Sequence, residues 1–138
     1  CYLSGPDNPR FSGHREMQGT YLTALKSQAK RRKIKFDVSY EYLWGVFVQQ
    51  DRKCAYSGLE IFFSRTNLEH VSGDYTASLD RIDSSKGYVE GNVQWLHKRV
   101  NIMKGNMEEQ EFLDFCEAVT FQNKSQEIQK TFSHSDRK

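Results

Sequence analysis

The sequence predicts an α+β fold, and three observations lead there. Two stretches before residue 50 carry apolar residues at helical spacing. Two short β-type runs, Ala77–Ile82 and Val93–Leu96, flank a loop with two glycines. A further helical pattern follows residue 106. The 138 residues are 37% hydrophobic and 28% charged, which suits one compact domain rather than a disordered chain. No apolar run is long enough to span a bilayer, and no signal-peptide pattern opens the chain. A soluble intracellular protein is therefore expected, with no membrane partner. The three cysteines, Cys1, Cys54 and Cys116, form no Cys-x-x-Cys pair. So sparse and odd a set fits a reducing compartment better than a disulfide framework.

Residues 1–16 carry Gly5-Pro6, Asn8-Pro9 and Ser12-Gly13 and read as an extended arm. From Glu16 to Lys33 a helix is expected, with Leu22, Leu25 and Ala29 on one side. Asp37-Val38-Ser39 offers an N-cap for a second helix over Tyr40–Gln50, whose apolar face is Tyr40, Leu43, Trp44 and Phe47. Cys54 to Gly58 is a turn before a short strand, Leu59–Phe63, and residues 64–76 are a polar loop. After the strand Ala77–Ile82, residues 84–92 form a tight loop in which Gly87 supplies a backbone angle that other residues resist. Val93–Leu96 is the partner strand. A short helix, His97–Lys104, ends at Gly105-Asn106. Asn106 with Glu109 makes a capping-box start for a last helix, whose Phe112, Phe115, Cys116 and Val119 are expected in the core. These elements make one domain over residues 17–122, with a loosely ordered polar tail over 123–138.

Charge is unevenly spread. Residues 1–55 hold ten Lys/Arg against five Asp/Glu, and residues 56–138 hold ten against thirteen, for a net +2. The excess gathers in Lys26, Lys30, Arg31, Arg32, Lys33 and Lys35. Such a run suits a polyanion, because displacing counterions from phosphates drives binding. Taken alone, the run reads as a solvated helix face, and it is the motif downstream that turns the reading toward a polyanion.

Within 25 residues the chain then places an acid, an amide and a basic cluster, from Asp80 through Asn101 to Lys104. A carboxylate at a strand end can bind a hard cation such as Mg²⁺, which prefers oxygen ligands. Asn is a poor mid-helix residue, so Asn101 needs a reason. A helical face of His97, Asn101 and Lys104 supplies one, with Leu96, Val100 and Met103 turned to the core. Trp95 and Tyr88 are read as packing groups rather than base-stacking ones.

The ordered set Asp80-Arg81-Ile82-Asp83, Gly87-Tyr88, Gly91-Asn92-Val93-Gln94-Trp95 and Val100-Asn101-Ile102-Met103-Lys104 resembles the HNH, or ββα-metal, nuclease superfamily. The likeness is to the phage and bacterial branch that reads Ser-Leu-Asp-Arg-Ile-Asp. It extends over about residues 17–120, through Gly19-Thr-Tyr-Leu, Ala29-Lys-Arg-Arg, Phe36, Tyr42-Leu-Trp44, Lys53 to Gly58 and Glu111-Phe112. The resemblance implies a ββα-metal core with two helices before it and one after. It implies Mg²⁺ or Mn²⁺ on Asp80 and Asn101, and hydrolysis of DNA phosphodiester bonds, with RNA as another possible substrate. Arg81 would clamp a phosphate oxygen. Asn92 would be the family's middle Asn, which ties the hairpin loop. Lys86, Lys98 and Lys104 would join the basic run in holding nucleic acid. One such site cuts one strand, so a double-strand break calls for a homodimer, a larger assembly or two nicks.

Two positions depart from the family pattern. Most relatives have a His directly after the metal-ligand Asp, and here that residue is Arg81. A related branch reads Asp-Arg-Gly-His, and here Asp83 stands in the place of its His. Asp83 is an intrinsically weak base at neutral pH. His97 and His70 are alternatives from outside the motif, and a metal-bound water is another. Second, the Cys pairs that hold zinc in many HNH domains would fall at Cys54/Ser57 and His97/Val100. Two potential ligands are too few for structural zinc, so none is expected. The competing expectation is a nuclease-derived nucleic-acid-binding component of a larger ribonucleoprotein or defence assembly.

Overall fold

Leu22, Leu25 and Ala29 do line one side of the first helix, α1 (Gly19–Arg31), in the computed structural model, which describes residues 17–64 and 75–135. The arm expected over 1–16, His70 and most of the 64–76 loop lie outside those residues. α1 ends two residues short of Lys33. Lys33 takes a left-handed φ of 57°, and Ile34 N–H donates back to Ala29 O at 2.8 Å, a common way to stop a helix. Phe36–Asp37 forms a two-residue strand, β1. The second helix, α2 (Tyr40–Gln49), starts where Ser39 Oγ accepts from Tyr42 N–H at 3.0 Å. Its Tyr40, Leu43 and Phe47 are buried, and Trp44 packs against the same core.

The strand expected over Leu59–Phe63 reduces to one bridge, Lys53 to Glu60. Asp51 and Arg52, with φ of 56° and 57°, turn the opposing segment out of extended geometry and leave room for a single rung. Ile61 and Phe63 still point inward while Phe62 is exposed.

β2 (Ala77–Arg81) and β4 (Val93–His97) pair antiparallel, with Asp80 opposite Gln94 and Ala77 opposite His97. Between them lies a strand the sequence did not suggest, β3 (Tyr88–Val89), which runs parallel to β1. Gly87 is required by this pairing rather than by an unusual backbone angle. A Cβ there would sit 2.6 Å from Lys35 O, so β1 and β3 could not approach. The left-handed glycine of the loop is Gly91, with φ of 83°.

Side chains alternate along a strand, so the β2–β4 hairpin has two faces. One carries Leu79, Val93 and Trp95. Trp95 is fully buried, donates through Nε1 to Leu43 O at 2.9 Å, and packs edge-on against Phe47 and Phe63. The other carries Ser78, Asp80, Gln94 and Leu96 and is covered by α3 (Lys98–Lys104). With both faces covered, Val93 to Leu96 are all buried.

The described residues fall into two compact units, one ending at Gly105 and the other beginning at Asn106. The second is one helix, α4 (Glu109–Ser135). Glu108 rather than Asn106 stands at its N-cap position, since Phe112 N–H donates to Glu108 O at 3.0 Å. Asn106 belongs to the turn that closes α3. The helix runs through most of the expected polar tail, because Gln, Lys and Glu are good helix formers and polarity does not stop a helix. Of its expected core residues Phe112 is buried and Cys116 is half-buried, but Phe115 and Val119 are exposed. A single helix has nothing within its own unit against which to bury a whole face. The protein is thus an α+β chain of four helices and two small sheets among the described residues. No helix there is long and apolar enough to cross a membrane.

Candidate functional site

Asp80 lies next to last in β2, and the hairpin register sets its neighbours. It is 6% exposed. Gln94 Nε2, directly across the ladder, donates to its Oδ2 at 3.0 Å. Lys104 Nζ, from the last turn of α3, lies 3.2 Å from both carboxylate oxygens and 3.1 Å from Arg81 O. Burial pushes the Asp80 carboxyl above its usual range. The hydrogen bond from Gln94 and the Lys104 charge pull the other way without cancelling it.

Asn101 sits one turn earlier on the same helix. Its Nδ2 donates to Ser78 Oγ at 2.8 Å and Leu79 O at 3.3 Å, which fastens α3 to β2. Its Oδ1 accepts no hydrogen bond among the described residues. The reason for an Asn in mid-helix is therefore visible: it joins helix to hairpin. Lys104 turns inward on the same side and is 1% exposed, so it is not on the surface where a phosphate contact was expected. A four-carbon stem at the helix end can reach β2 and lay its charge on the one buried carboxylate of the unit's described part. Met103, expected in the core, is exposed instead, while Leu96 is buried and Val100 packs against the core. The 3.6-residue period places Met103 away from the hairpin once Asn101 and Lys104 face it.

Asn92 binds the loop at both ends. Its Oδ1 accepts from Asp83 N–H at 2.9 Å, and its Nδ2 donates to Asp83 O at 3.1 Å and Gly87 O at 2.9 Å. Arg81 acts in the same loop. Its Nη1 donates to Ser84 O at 2.8 Å and Lys86 O at 3.0 Å, and its guanidinium lies 5.5 Å from the centre of the Tyr88 ring. That uses one edge of the fork on the protein itself, leaving Nε and Nη2 without a hydrogen bond among the described residues. Asp83 is exposed and accepts from Ser85 N–H at 2.9 Å and Ser85 Oγ at 2.6 Å, with Lys86 3.9 Å away. The Ser85 hydrogen bonds hold its carboxyl below the usual range, which makes it a still weaker base.

His97 caps α3: its Nδ1 accepts from Arg99 N–H at 3.1 Å. Strand alternation puts it on the Trp95 face, across from Ala77 and away from the side that bears Asp80. Where the first Cys pair of zinc-bearing HNH domains would fall, Cys54 Sγ accepts from Ser57 N–H at 3.5 Å. Burial raises the Cys54 thiol, but hydrogen bonds from Ser57, His97 and Tyr56 outweigh it and hold the thiol below its ordinary value.

Lys26, Lys30, Arg31, Arg32, Lys33 and Lys35 are all exposed. The β1–β3 pairing brings the end of this run to the hairpin loop, since Tyr88 N–H donates to Lys35 O at 2.8 Å. Lys86 is exposed in that loop, and Lys98 lies 4.8 Å from the centre of the Tyr75 ring.

The donor types, a carboxylate and an amide oxygen, suit Mg²⁺. Both oxygens of Asp80 are held by a cation of the protein's own, Lys104, and by Gln94. Among the described residues no group of three or more His, Cys, Asp or Glu could hold a metal ion. Of the oxygens that Asp80 and Asn101 offer, Asn101 Oδ1 alone is without a partner among the described residues. Sequence reasoning missed Gln94 and the inward course of Lys104. The first was findable, because a hairpin joining the two expected strands sets a polar Gln94 across from Asp80.

No family model matches the chain, and no solved structure matches it. It is similar to an uncharacterized 29.0 kDa protein in the dda-modA intergenic region of Enterobacteria phage T4. The two are 32% identical over 93 residues, 67% of this chain and 34% of that protein. The chain therefore spans about a third of the length of the curated relative it matches.

Proposed function

We propose that this chain carries an HNH-type domain that acts on nucleic acid as an endonuclease, hydrolysing DNA phosphodiester bonds. The observation that carries the reading is the order and placement of the motif. A β-hairpin bears Asp80, a loop between its strands is tied by Asn92, and the helix that follows lays Asn101 on the first strand. The exposed basic run, which meets the hairpin loop through β1 and β3, supports DNA as the partner. RNA offers the same phosphates and is the alternative polymer. Mg²⁺ or Mn²⁺ is the cofactor such a reaction calls for, and Asp80 and Asn101 are the residues that would hold it.

The test is incubation of purified chain with supercoiled plasmid in Mg²⁺, Mn²⁺ or EDTA, alongside Asp80→Ala. Metal-dependent nicking by the wild type, absent in the variant, is expected. Equal nicking by both would sink the assignment.

A second reading has its own supporting observation. Lys104 holds Asp80, and Arg81 binds its own loop, so the residues of a hydrolytic centre serve here as structural ties. On that reading the chain is a nuclease-derived nucleic-acid-binding component of a larger assembly. It predicts salt-sensitive binding to duplex DNA or RNA and no cutting in any metal.

A further inference from the structure

Lys104 is the only buried Lys or Arg among the described residues. An ammonium has three donors, and here three oxygens surround it: Asp80 Oδ1 and Oδ2 at 3.2 Å and Arg81 O at 3.1 Å. That is a shell of oxygens alone, the kind a hard cation takes. The carboxylate is further fixed by Gln94, and Asn101 Oδ1 carries no hydrogen bond among the described residues.

We propose that Lys104 is the resident cation of this site: in the free protein its ammonium fills the place a divalent ion would take at Asp80. Without nucleic acid the wild-type chain then has no divalent site that depends on Asp80, and cleavage through Asp80 requires the substrate to draw Lys104 away. Removing the ammonium while keeping the volume of the side chain exposes a carboxylate and a backbone carbonyl to any cation that enters. The inference leans on the nuclease reading only for the kind of ion. It is measured without DNA, so it stands or falls apart from cleavage.

The experiment is a Mn²⁺ titration of the full chain, read by the paramagnetic signal of free Mn²⁺. It compares wild type, Lys104→Met and the double variant Asp80→Asn/Lys104→Met, which buries no charge at either position. Wild type and double variant are expected to bind alike, and Lys104→Met about tenfold or more tightly than either. Two results would overturn the proposal. One is wild type binding Mn²⁺ more tightly than the double variant, which would put the ion on Asp80 despite Lys104. The other is Lys104→Met binding no better than the double variant. If Lys104→Met does not fold in metal-free buffer, Mn²⁺ is expected to restore its circular dichroism where K⁺ at equal ionic strength does not. Failure of Mn²⁺ to restore it also counts against the proposal.

Discussion

Positive charge at the ends of two helices in this protein meets opposite fates. At the end of α1, Lys30 to Lys33 stand exposed. At the end of α3, Lys104 is sealed against Asp80. Both are basic residues in the last turn of a helix. What separates them is the surface each helix covers. α1 turns Ala29 inward and its charges outward, whereas the inward side of α3 lies on the hairpin face that carries Asp80. An exposed charge leaves stability nearly alone and acts on what arrives from solution. A buried one holds the fold and is costly to disturb.

The sharpest way to break this contrast is at Lys104. Removing one partner of a buried ion pair costs about 3–5 kcal/mol. Lys104→Met should therefore lower the urea midpoint far more than any change in the α1 run. The double variant Asp80→Asn/Lys104→Met should recover much of the loss, because no lone charge stays buried. A midpoint for Lys104→Met near that of wild type would mean the pair is not formed in solution.

Next in size is Asn92→Ala. It deletes the side chain that closes the loop and leaves Asp83 and Gly87 backbone groups without their partner. An unsatisfied buried group costs about 1–3 kcal/mol, and because water reaches this loop a total of about 1–3 kcal/mol is expected for the three groups together. Thermal unfolding measures it. Gly87→Ala follows, because its Cβ would meet Lys35 O at 2.6 Å. About 1–3 kcal/mol is expected, by analogy with overpacking. The same change should also loosen the basic run from the loop, which amide exchange at Tyr88 reports.

Lys30, Arg31 and Arg32 changed together to Ala should leave stability within about 0.5 kcal/mol. They should weaken binding to duplex DNA and flatten its log–log salt dependence by about two to three. An unchanged salt slope would remove the run from the interface. The smallest effect belongs to Asp83→Asn. The Asp83 carboxyl is held below its usual range, so its hydrogen bonds to Ser85 add stability above the ordinary carboxylate range. That contribution is lost as pH falls through its lowered value. The difference between wild type and variant should thus be present at neutral pH and vanish in strong acid.

Much of this architecture is legible in the residues. Period and caps give α1, α2 and α3 to within a few residues, and alternation gives both strands of the hairpin. Asn92, a polar residue at the end of a tight loop, ties that loop with three hydrogen bonds. What escaped has physical causes. The β1–β3 pair joins two-residue strands 52 positions apart in sequence (Phe36 with Tyr88), too short for any periodic signal. The exposed face of α4 escaped because a pattern of Phe112, Phe115 and Val119 specifies an apolar stripe, not whether the same unit covers it. Lys104 escaped because its direction depends on what α3 packs against. His97 and Lys104 share a helical face on paper. In the fold His97 is still strand and faces the other way.

The measurement that bears most directly on the account is amide chemical-shift mapping of the ¹⁵N-labelled chain with a short DNA duplex. If the basic run and the hairpin loop hold the duplex, shifts concentrate at residues 30–35 and 84–86 and fade as salt is raised. Duplex binding that leaves both segments unmoved would contradict it.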